Sequence, residues 1–463
     1  MIVPSKFGKI FFVVFAFLHL TFAVCFAAKT PYRTGGFLFS QRDPETGGPQ
    51  HVGDIGAPDE RQHANYVEFL LREKKLPVFN PSPKAPGSYE NYQSHQPPLF
   101  YALGSVVAAK PDASDGGFGF RLRMLNCLIG ALGVVGVFFA CLWATKREDV
   151  AIVATAFVAL IPMNCALSGA ISNDPLLIAL VTWCFAFCAR AMQEEDAKLG
   201  SKAMMYAGLF AGLACLTKSS GLIALVGVFA TAFTLRKILP LKGLALAGIL
   251  AILLPLPIWI RNTSLYGDPM VQKAFKSAFG GSAQKSLIIS IIEATGAPGS
   301  SEVQYWINWV GYWTARSFIG VFGYMDIWIN RTGRANVSSD PNLLYKVLIA
   351  LIVTAKLSFL MYLRNKWKEV PKPIFIGLVF ALVTFALFIG FNMTYFQAQA
   401  RYLYPAIAPT ALILAIGWLQ LFRSKLVPVL LLVVVAFGGT TLYALTQLGP
   451  EFATRQSGTV SPP

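Results

Sequence analysis

The sequence has little charge. Only 13% of its 463 residues are charged, whereas 55% are hydrophobic. Soluble domains carry about 25% charged residues, so the composition excludes an ordinary soluble globular protein. Histidine is scarce, with four residues, and all seven cysteines lie in or beside apolar segments. No pair of cysteines lies in a hydrophilic loop, so the sequence indicates neither a disulfide framework nor a CxxC metal site.

The charge that is present is mostly positive, with a formal net charge of +16. A nucleic-acid-binding protein would place its basic residues in a stripe interleaved with exposed aromatic residues, and no such stripe is present. Basic residues beside membrane spans account for the excess. We therefore expect membrane lipids as partners and no nucleic acid.

Long hydrophobic runs dominate the chain. A bilayer core about 30 Å thick needs about 20 apolar residues per helix, and polar breaks at Pro162 and at Thr217–Gly221 divide the two longest runs into separate spans. The sequence predicts an all-α polytopic membrane protein, a single domain over residues 1–463. The eleven predicted spans are 10–28, 122–144, 150–163, 175–191, 204–217, 219–235, 243–260, 343–363, 373–391, 402–421 and 426–446.

Basic residues in the short loops indicate the orientation. With Lys6 and Lys9 inside, every short loop on that side carries at least two basic residues. This predicts a cytoplasmic N-terminus, an outer C-terminus and a plasma or inner membrane location. A cleaved signal peptide is the alternative for the first segment, since Cys25–Ala28 offers small residues at suitable positions.

Two outer segments are long, residues 29–121 and 261–342. The first contains two amphipathic stretches, Asp59–Lys74 and Pro98–Ala109, and the second is rich in tryptophan and tyrosine. Amphipathic helices and aromatic residues are typical of chains that lie on a membrane surface. We therefore predict surface helices in the first outer loop.

Two acids and a histidine occur together at the start of the first amphipathic stretch. Asp59, Glu60 and His63 have spacings of three and four residues and can share a helix face. Such a cluster can bind a divalent cation or act as an acid–base pair. Carboxylates at a helix N-terminus can also serve only as helix caps, so all three interpretations stay open.

Further polar residues map to the same outer membrane face. Lys218 and Arg401 are exceptions to the positive-inside rule, and an anionic ligand at the outer leaflet would explain them. Snorkelling of long basic side chains to lipid head groups is the alternative. We predict that Asp59, Asp174, Lys218 and Arg401 line one cavity; the other outer polar positions are His95, Arg261 and Tyr402.

The ordered set of motifs resembles the GT-C superfamily of polyprenyl-phosphate-sugar-dependent glycosyltransferases, particularly its protein mannosyltransferase-like and aminoarabinose-transferase-like branch. The motifs span residues 59–405, and each is only moderately specific by itself. They are Asp59-Glu60 with His63, Leu76-Pro77-Val78, His95-Gln96-Pro97-Pro98-Leu99-Phe100-Tyr101, Ser172-Asn173-Asp174, Leu216-Thr217-Lys218, Arg261-Asn262 with Tyr266-Gly267-Asp268-Pro269, and Gln399-Ala400-Arg401-Tyr402-Leu403-Tyr404-Pro405.

The resemblance implies an outward-facing enzyme that moves a sugar from a polyprenyl-phosphate lipid to a glycan, lipid or protein acceptor. It implies that Asp59 is the base and that Glu60 is a second base or a metal ligand, with His63 as the other ligand of that metal. A divalent metal is thus a candidate cofactor. The donor-phosphate ligands would be Lys218, Arg401 and Arg261, and the acceptor-binding or orienting residues would be Asp174, His63, His95 and Tyr402.

Two other functions remain open. A transporter or flippase of a lipid-linked sugar or another anionic solute would also be polytopic. Transporters usually carry ionisable residues near mid-membrane, broken helices and inverted repeats. This chain places its polar motifs at one face, and its spans hold few charged residues, with Lys356 as an exception. A scaffold with a degenerate site is the third possibility, and the intact Asp59-Glu60 pair argues against it.

Overall fold

The computed structural model describes residues 3–43, 46–80, 82, 88–108, 116–278, 284–294, 301–330 and 342–458. Across these ranges the chain is mostly helical, and the named strands form two short antiparallel hairpins. The prediction of an all-α polytopic membrane protein is confirmed.

The α-helices, in chain order, are α1 Lys6–Lys29, α2 Glu60–Glu73, α3 Ser88–Asn91, α4 Leu99–Ala108, α5 Gly116–Thr145, α6 Glu148–Leu160, α7 Pro162–Ser168, α8 Asp174–Gln193, α9 Ala197–Cys215, α10 Leu222–Leu235, α11 Leu241–Leu253, α12 Leu256–Tyr266, α13 Gln272–Ala278, α14 Lys285–Ala294, α15 Ser301–Gln304, α16 Tyr312–Ile319, α17 Leu343–Lys366, α18 Lys372–Asn392, α19 Ile407–Leu421, α20 Leu426–Val433 and α21 Gly439–Ser457. The 3₁₀ turns are Tyr92–His95, Ser219–Gly221, Trp367–Glu369, Ala400–Tyr402 and Tyr404–Ala406, and the π-helical turns are Tyr305–Gly311 and Val434–Gly438.

Each of the eleven predicted spans overlaps one or two helices, but fewer of the described helices are, taken singly, long and apolar enough to cross a bilayer. Of the described helices, eight are long and apolar enough, or nine if α6 and α7, bent by 64° at their junction, form one span. The predicted spans 204–217 and 219–235 do not qualify. Helix α9 carries two charged residues, Lys198 and Lys202, in its first two turns. Helix α10 has only 14 residues, which corresponds to about 21 Å of helix.

Helix α8 lies at the centre of the bundle. It packs against α5, α9, α10 and α18, and most of its residues are buried. A helix that is apolar on every side is expected to be surrounded by protein or lipid. The turns that precede α8 and follow α9 meet at the same end of the bundle, because the two helices are adjacent and antiparallel.

The outer segments add short helices and two hairpins at that end. The amphipathic stretches form α2 and α4, as predicted, and α4 is tied to the end of α9 because the Leu99 amide donates to the Leu216 carbonyl at 2.9 Å. The first hairpin pairs β1 Gly36–Arg42 with β2 Pro49–Val52, and the second pairs β3 Val321–Phe322 with β4 Ile327–Trp328.

Candidate active site

Asp59 immediately precedes α2 and has a left-handed backbone, with φ 65° and ψ −1°. Short polar residues tolerate this region better than bulky ones. Its side chain makes no capping hydrogen bond, so helix capping is not its role. Instead one carboxylate oxygen, Oδ2, accepts a hydrogen bond of 2.7 Å from Arg401 Nη2, and Oδ1 accepts one from the Tyr92 hydroxyl.

A second ion pair joins the turns beside α8 and α9. Asp174, the first residue of α8, accepts a hydrogen bond of 2.5 Å through Oδ1 from Lys218 Nζ. Only 6% of the Asp174 side chain and 16% of the Lys218 side chain are exposed. The pair is therefore largely removed from solvent, so salt and water screen the attraction between the two charges only weakly.

Tyr402 lies between the two ion pairs. The Lys218 ammonium is 5.6 Å from the centre of the Tyr402 ring, and the Arg401 guanidinium is 5.2 Å from it. Arg401 Nη2 also donates to the Tyr402 hydroxyl at 3.3 Å. The structure thus brings Asp59, Asp174, Lys218 and Arg401 into one group, which we call the four-charge cluster.

The cluster contains two acids and two cations and is formally neutral. Burial opposes ionisation of Asp59, but the Arg401 guanidinium and the Tyr92 hydroxyl outweigh it and lower the pKa of Asp59 to about 2. Asp59 is consequently ionised at neutral pH. It is also a weak base for as long as Arg401 remains its partner.

His63 lies on α2 one turn after Asp59 and is buried. Its Nδ1 is 2.8 Å from the Tyr101 hydroxyl, and the two rings are stacked with centres 5.8 Å apart. Burial lowers the pKa of His63 to about 3, although Asp59 and Asp174 favour the protonated form. The imidazole is therefore neutral at physiological pH.

His95 takes part in a chain of hydrogen bonds that runs between the two ion pairs. Its Nδ1 donates to the Tyr92 carbonyl at 2.6 Å, so its Nε2 is left to accept from the Gln96 amide at 2.8 Å. The Gln96 side-chain oxygen accepts from Asn173, which also donates to the Thr217 carbonyl. Burial lowers the pKa of His95 to about 4, which keeps this neutral tautomer.

Glu60 points away from the cluster and binds Arg123. The two carboxylate oxygens accept hydrogen bonds of 2.7 and 2.6 Å from Arg123 Nε and Nη2. The Ile171 amide adds a third at 2.9 Å. Arg123 also donates to the carbonyls of Ala27, Thr30 and Pro31, so all five of its N–H groups are used.

Arg261 is held by a different segment. Its Nη2 donates to the Pro77 carbonyl at 2.7 Å, and the ion pairs of the four-charge cluster, as far as the described residues form it, do not include it. Nearby, the Tyr266 hydroxyl accepts from the Phe79 amide. The structure therefore joins the Leu76–Val78 motif to the Arg261–Pro269 motif without bringing Arg261 into the four-charge cluster.

The predicted metal ligands have separate partners. Glu60 is bound to Arg123 and His63 to Tyr101. Among the described residues, no group of three or more His, Cys, Asp or Glu side chains is arranged to hold a metal ion. The Glu60–His63 pair accordingly does not fit a divalent cation.

Sequence reasoning missed Arg123, Tyr92 and the role of Asn173. Arg123 falls inside the predicted span 122–144, at its outer end. A basic residue there is the same exception to the positive-inside rule that singled out Lys218 and Arg401, so a signal was present. Tyr92 and Asn173 carry no comparable signal, because tyrosine and asparagine in polar turns are common.

Comparison with known proteins relates this arrangement to one fold. Residues 102–263 match the family model described as dolichyl-phosphate-mannose-protein mannosyltransferase. The crystal structure of the oligosaccharyltransferase of Archaeoglobus fulgidus in the apo form superimposes with a TM-score of 0.56 at 16% identity, covering 96% of this chain. The chain has the GT-C fold.

A second GT-C structure, ArnT from Cupriavidus metallidurans in the apo state, gives a TM-score of 0.50 at 13% identity and covers 96% of this chain and 76% of that one. The chain spans 57% of the length of the archaeal oligosaccharyltransferase. Among curated protein sequences, none matches the chain. The resemblance seen in the sequence motifs is thus confirmed, and it rests on the fold and on the matched segment.

Proposed function

We propose that this protein is a glycosyltransferase that moves a sugar from a polyprenyl-phosphate donor to an acceptor hydroxyl. The observation that carries the proposal is the four-charge cluster, in which two largely buried cations and two carboxylates from distant parts of the chain meet at one end of the bundle. The structure of the archaeal oligosaccharyltransferase of the same fold has been solved in complex with an inhibitory peptide and a dolichol-phosphate, which supports this class of donor.

Lys218 and Arg401 would bind the donor phosphate. Both cations are now neutralised by carboxylates, and a phosphate that enters must share or replace those partners. In the reaction the bond between the anomeric carbon and the phosphate oxygen breaks, and the acceptor oxygen bonds to that carbon. The departing phosphate gains negative charge, which the two cations stabilise more strongly than they stabilise the bound donor.

Asp59 would take the proton of the acceptor hydroxyl. With Arg401 as its partner the carboxylate is a weak base, because its pKa is about 2. When the donor phosphate engages Arg401, the strongest influence that lowers the pKa of Asp59 weakens, while burial continues to raise it. Donor binding would thus convert Asp59 from the partner of an arginine into a competent base.

The remaining candidates take supporting roles. Glu60, bound to Arg123, would hold the start of α2 and hence the Asp59 backbone, rather than act as a second base or a metal ligand. His95 would position Asp59 through Tyr92, and His63 would be held beside Asp59 by its contact with Tyr101. Tyr402 would orient Arg401, and Asp174 would orient Lys218. Arg261 would organise the outer segment over the site. The archaeal relative was also crystallised with zinc and sulfate, but no reaction step here is assigned to a metal.

The positive-inside rule supports an outward-facing site. The end of the bundle opposite the four-charge cluster carries the basic loops around Lys146, Lys237 and Lys366. Such loops are typical of the cytoplasmic side. We therefore place the N-terminus in the cytoplasm and the reaction at the outer leaflet of a plasma or inner membrane.

The direct test is sugar transfer in liposomes. The purified chain would be reconstituted with polyprenyl-phosphate sugars and cell-envelope acceptors, and the products would be identified by mass spectrometry. Transfer that is lost in Asp59→Asn, in the presence and absence of a chelator, is the expected result. Donor-independent solute flux across the same liposomes, without transfer, would contradict the proposal in favour of a transporter.

A further inference from the structure

Helix α17 lies at the side of the bundle and leaves one face uncovered. It packs mainly against α19, with a smaller contact to α16. Residues at spacings of three and four form the uncovered face, which we call the α17 stripe. The stripe consists of Leu343, Val347, Ala350, Val353, Thr354, Leu357, Leu360 and Met361.

Lys356 is exposed at the edge of this stripe, near the middle of the membrane span. Lys346 and Arg364 bracket the apolar part of α17. Lys356 follows Lys346 by about 15 Å and precedes Arg364 by about 12 Å along the helix axis. An apolar core about 30 Å thick therefore places Lys356 close to its centre.

The Lys356 ammonium does not reach either head-group region. A lysine side chain extends about 6 Å, and helical side chains lean toward the N-terminal end of the helix, which is the more distant end here. Among the described residues Lys356 has no ion pair or hydrogen bond. Charged residues in membrane spans almost always face a partner or an aqueous cavity, whereas Lys356 is exposed on the outside of the helix bundle.

We propose that the α17 stripe binds a transmembrane helix of another protein, and that an aspartate or glutamate of that helix pairs with Lys356 at mid-membrane depth. Two small residues four positions apart, Ala350 and Thr354, support close helix packing at this face. The Thr354 hydroxyl is already bonded to the Ala350 carbonyl at 2.9 Å. The hydroxyl proton of Thr354 is therefore already used within α17.

A second copy of this chain does not supply the carboxylate. In the described spans, acidic residues lie near helix ends, such as Glu148 and Asp149 at the start of α6 and Asp174 at the start of α8. An anionic lipid is also a poor partner, since its phosphate lies at the head-group level, beyond the reach of Lys356. This inference does not depend on the proposed function.

Designed peptides in vesicles test the proposal. The full chain, labelled at its C-terminus with a fluorophore, would be reconstituted in phosphatidylcholine vesicles with a leucine-based transmembrane peptide carrying one central glutamate. Energy transfer to the labelled peptide measures association, and a central glutamine gives the matched control peptide. We expect at least tenfold tighter association of the glutamate peptide.

Variants identify the residue responsible. Lys356→Met should abolish the preference for glutamate, Lys356→Arg should retain it, and Lys366→Met, a charge change at the helix end, should leave it unchanged. Thr354→Leu should weaken association of both peptides by blocking close approach. Equal association of the two peptides, or an unchanged preference in Lys356→Met, would overturn the proposal. If adding an anionic lipid to the vesicles abolishes the preference for the glutamate peptide, the proposal is also overturned, and Lys356 is assigned to lipid instead.

Discussion

The Asp59 carboxylate accepts a 2.7 Å hydrogen bond from the Arg401 guanidinium, although 342 positions of chain separate the two residues. The contact joins the proposed base to a proposed phosphate ligand. Each group therefore controls the availability of the other, and this coupling shapes the predictions for both.

Asp59→Asn should reduce transfer by about 10²–10⁴-fold, the usual cost of losing a positioned base. Asparagine tolerates the left-handed backbone at this position, so the start of α2 should keep its conformation, while the unpaired Arg401 side chain, 10% exposed, should lower the thermal midpoint. Donor affinity should hold or improve, because Arg401 loses a competing carboxylate. Transfer rates and donor binding in detergent would measure both effects, and full activity would remove Asp59 from the mechanism.

Arg401→Lys should raise the KM for the lipid donor at least tenfold while the protein remains folded. A guanidinium makes paired hydrogen bonds to a carboxylate and a phosphate that an ammonium cannot reproduce. Arg364→Lys, in the last turn of α17 beside the Lys366 loop at the opposite end of the bundle, is the matched control and should be silent. An unchanged KM in Arg401→Lys would indicate that the arginine only anchors its helix.

Glu60→Gln should lower the stability of the fold rather than remove a catalytic group. The Glu60 and Arg123 side chains are 4% and 6% exposed, and removing one partner of a buried pair costs about 3–5 kcal/mol. We expect a lower thermal midpoint and poor expression, with the residual folded protein still binding donor. Glu60→Gln with normal stability and no transfer would restore Glu60 to a catalytic role.

The Asp174–Lys218 pair can be tested with a double-mutant cycle. Asp174→Asn and Lys218→Met should each destabilise the protein, because each leaves a largely buried charge unpaired. The double variant should recover much of the thermal midpoint, yet it should remain inactive if Lys218 binds the donor phosphate. Recovered transfer in the double variant would show that the pair is structural.

The pH dependence should differ between kcat/KM and kcat. In the free protein the pKa of Asp59 is about 2, so the carboxylate stays ionised until the pH falls to that value. With donor bound, the weakened contact to Arg401 lets this pKa rise, and protonation begins at a higher pH. The acid limb of kcat should therefore lie above that of kcat/KM. Coincident limbs would contradict displacement of Arg401 by the donor.

The helices could be predicted from the sequence, because apolar periodicity and polar breaks depend on local composition. The break at Pro162 and the turn at Lys218 are examples. Among the described helices, eight, or nine with α6 and α7 taken as one span, are by themselves long and apolar enough to cross a bilayer. Helix α10 has only 14 residues, although it runs from the turn at Lys218 to the basic loop at Lys237.

The partners of the acidic residues could not be predicted. Asp59 and Glu60 are adjacent at a helix start, where successive side chains point about 100° apart. The spacing of each acid to His63 nevertheless allowed both to share its face, so the pattern showed neither that the two carboxylates diverge nor which one faces the cluster. Arg123 decides this by binding Glu60, and its inward direction depends on packing between α1 and α5 that no local pattern encodes.

The use of all five Arg123 N–H groups has a consequence for how the protein opens. Because Arg123 holds the end of α1, the start of α2 and the Ile171 turn through Glu60, detaching any one of them leaves a buried cation short of partners. These segments should therefore open together, as one cooperative unit in amide hydrogen exchange. The base at Asp59 would then keep its position for as long as the first membrane helix stays packed.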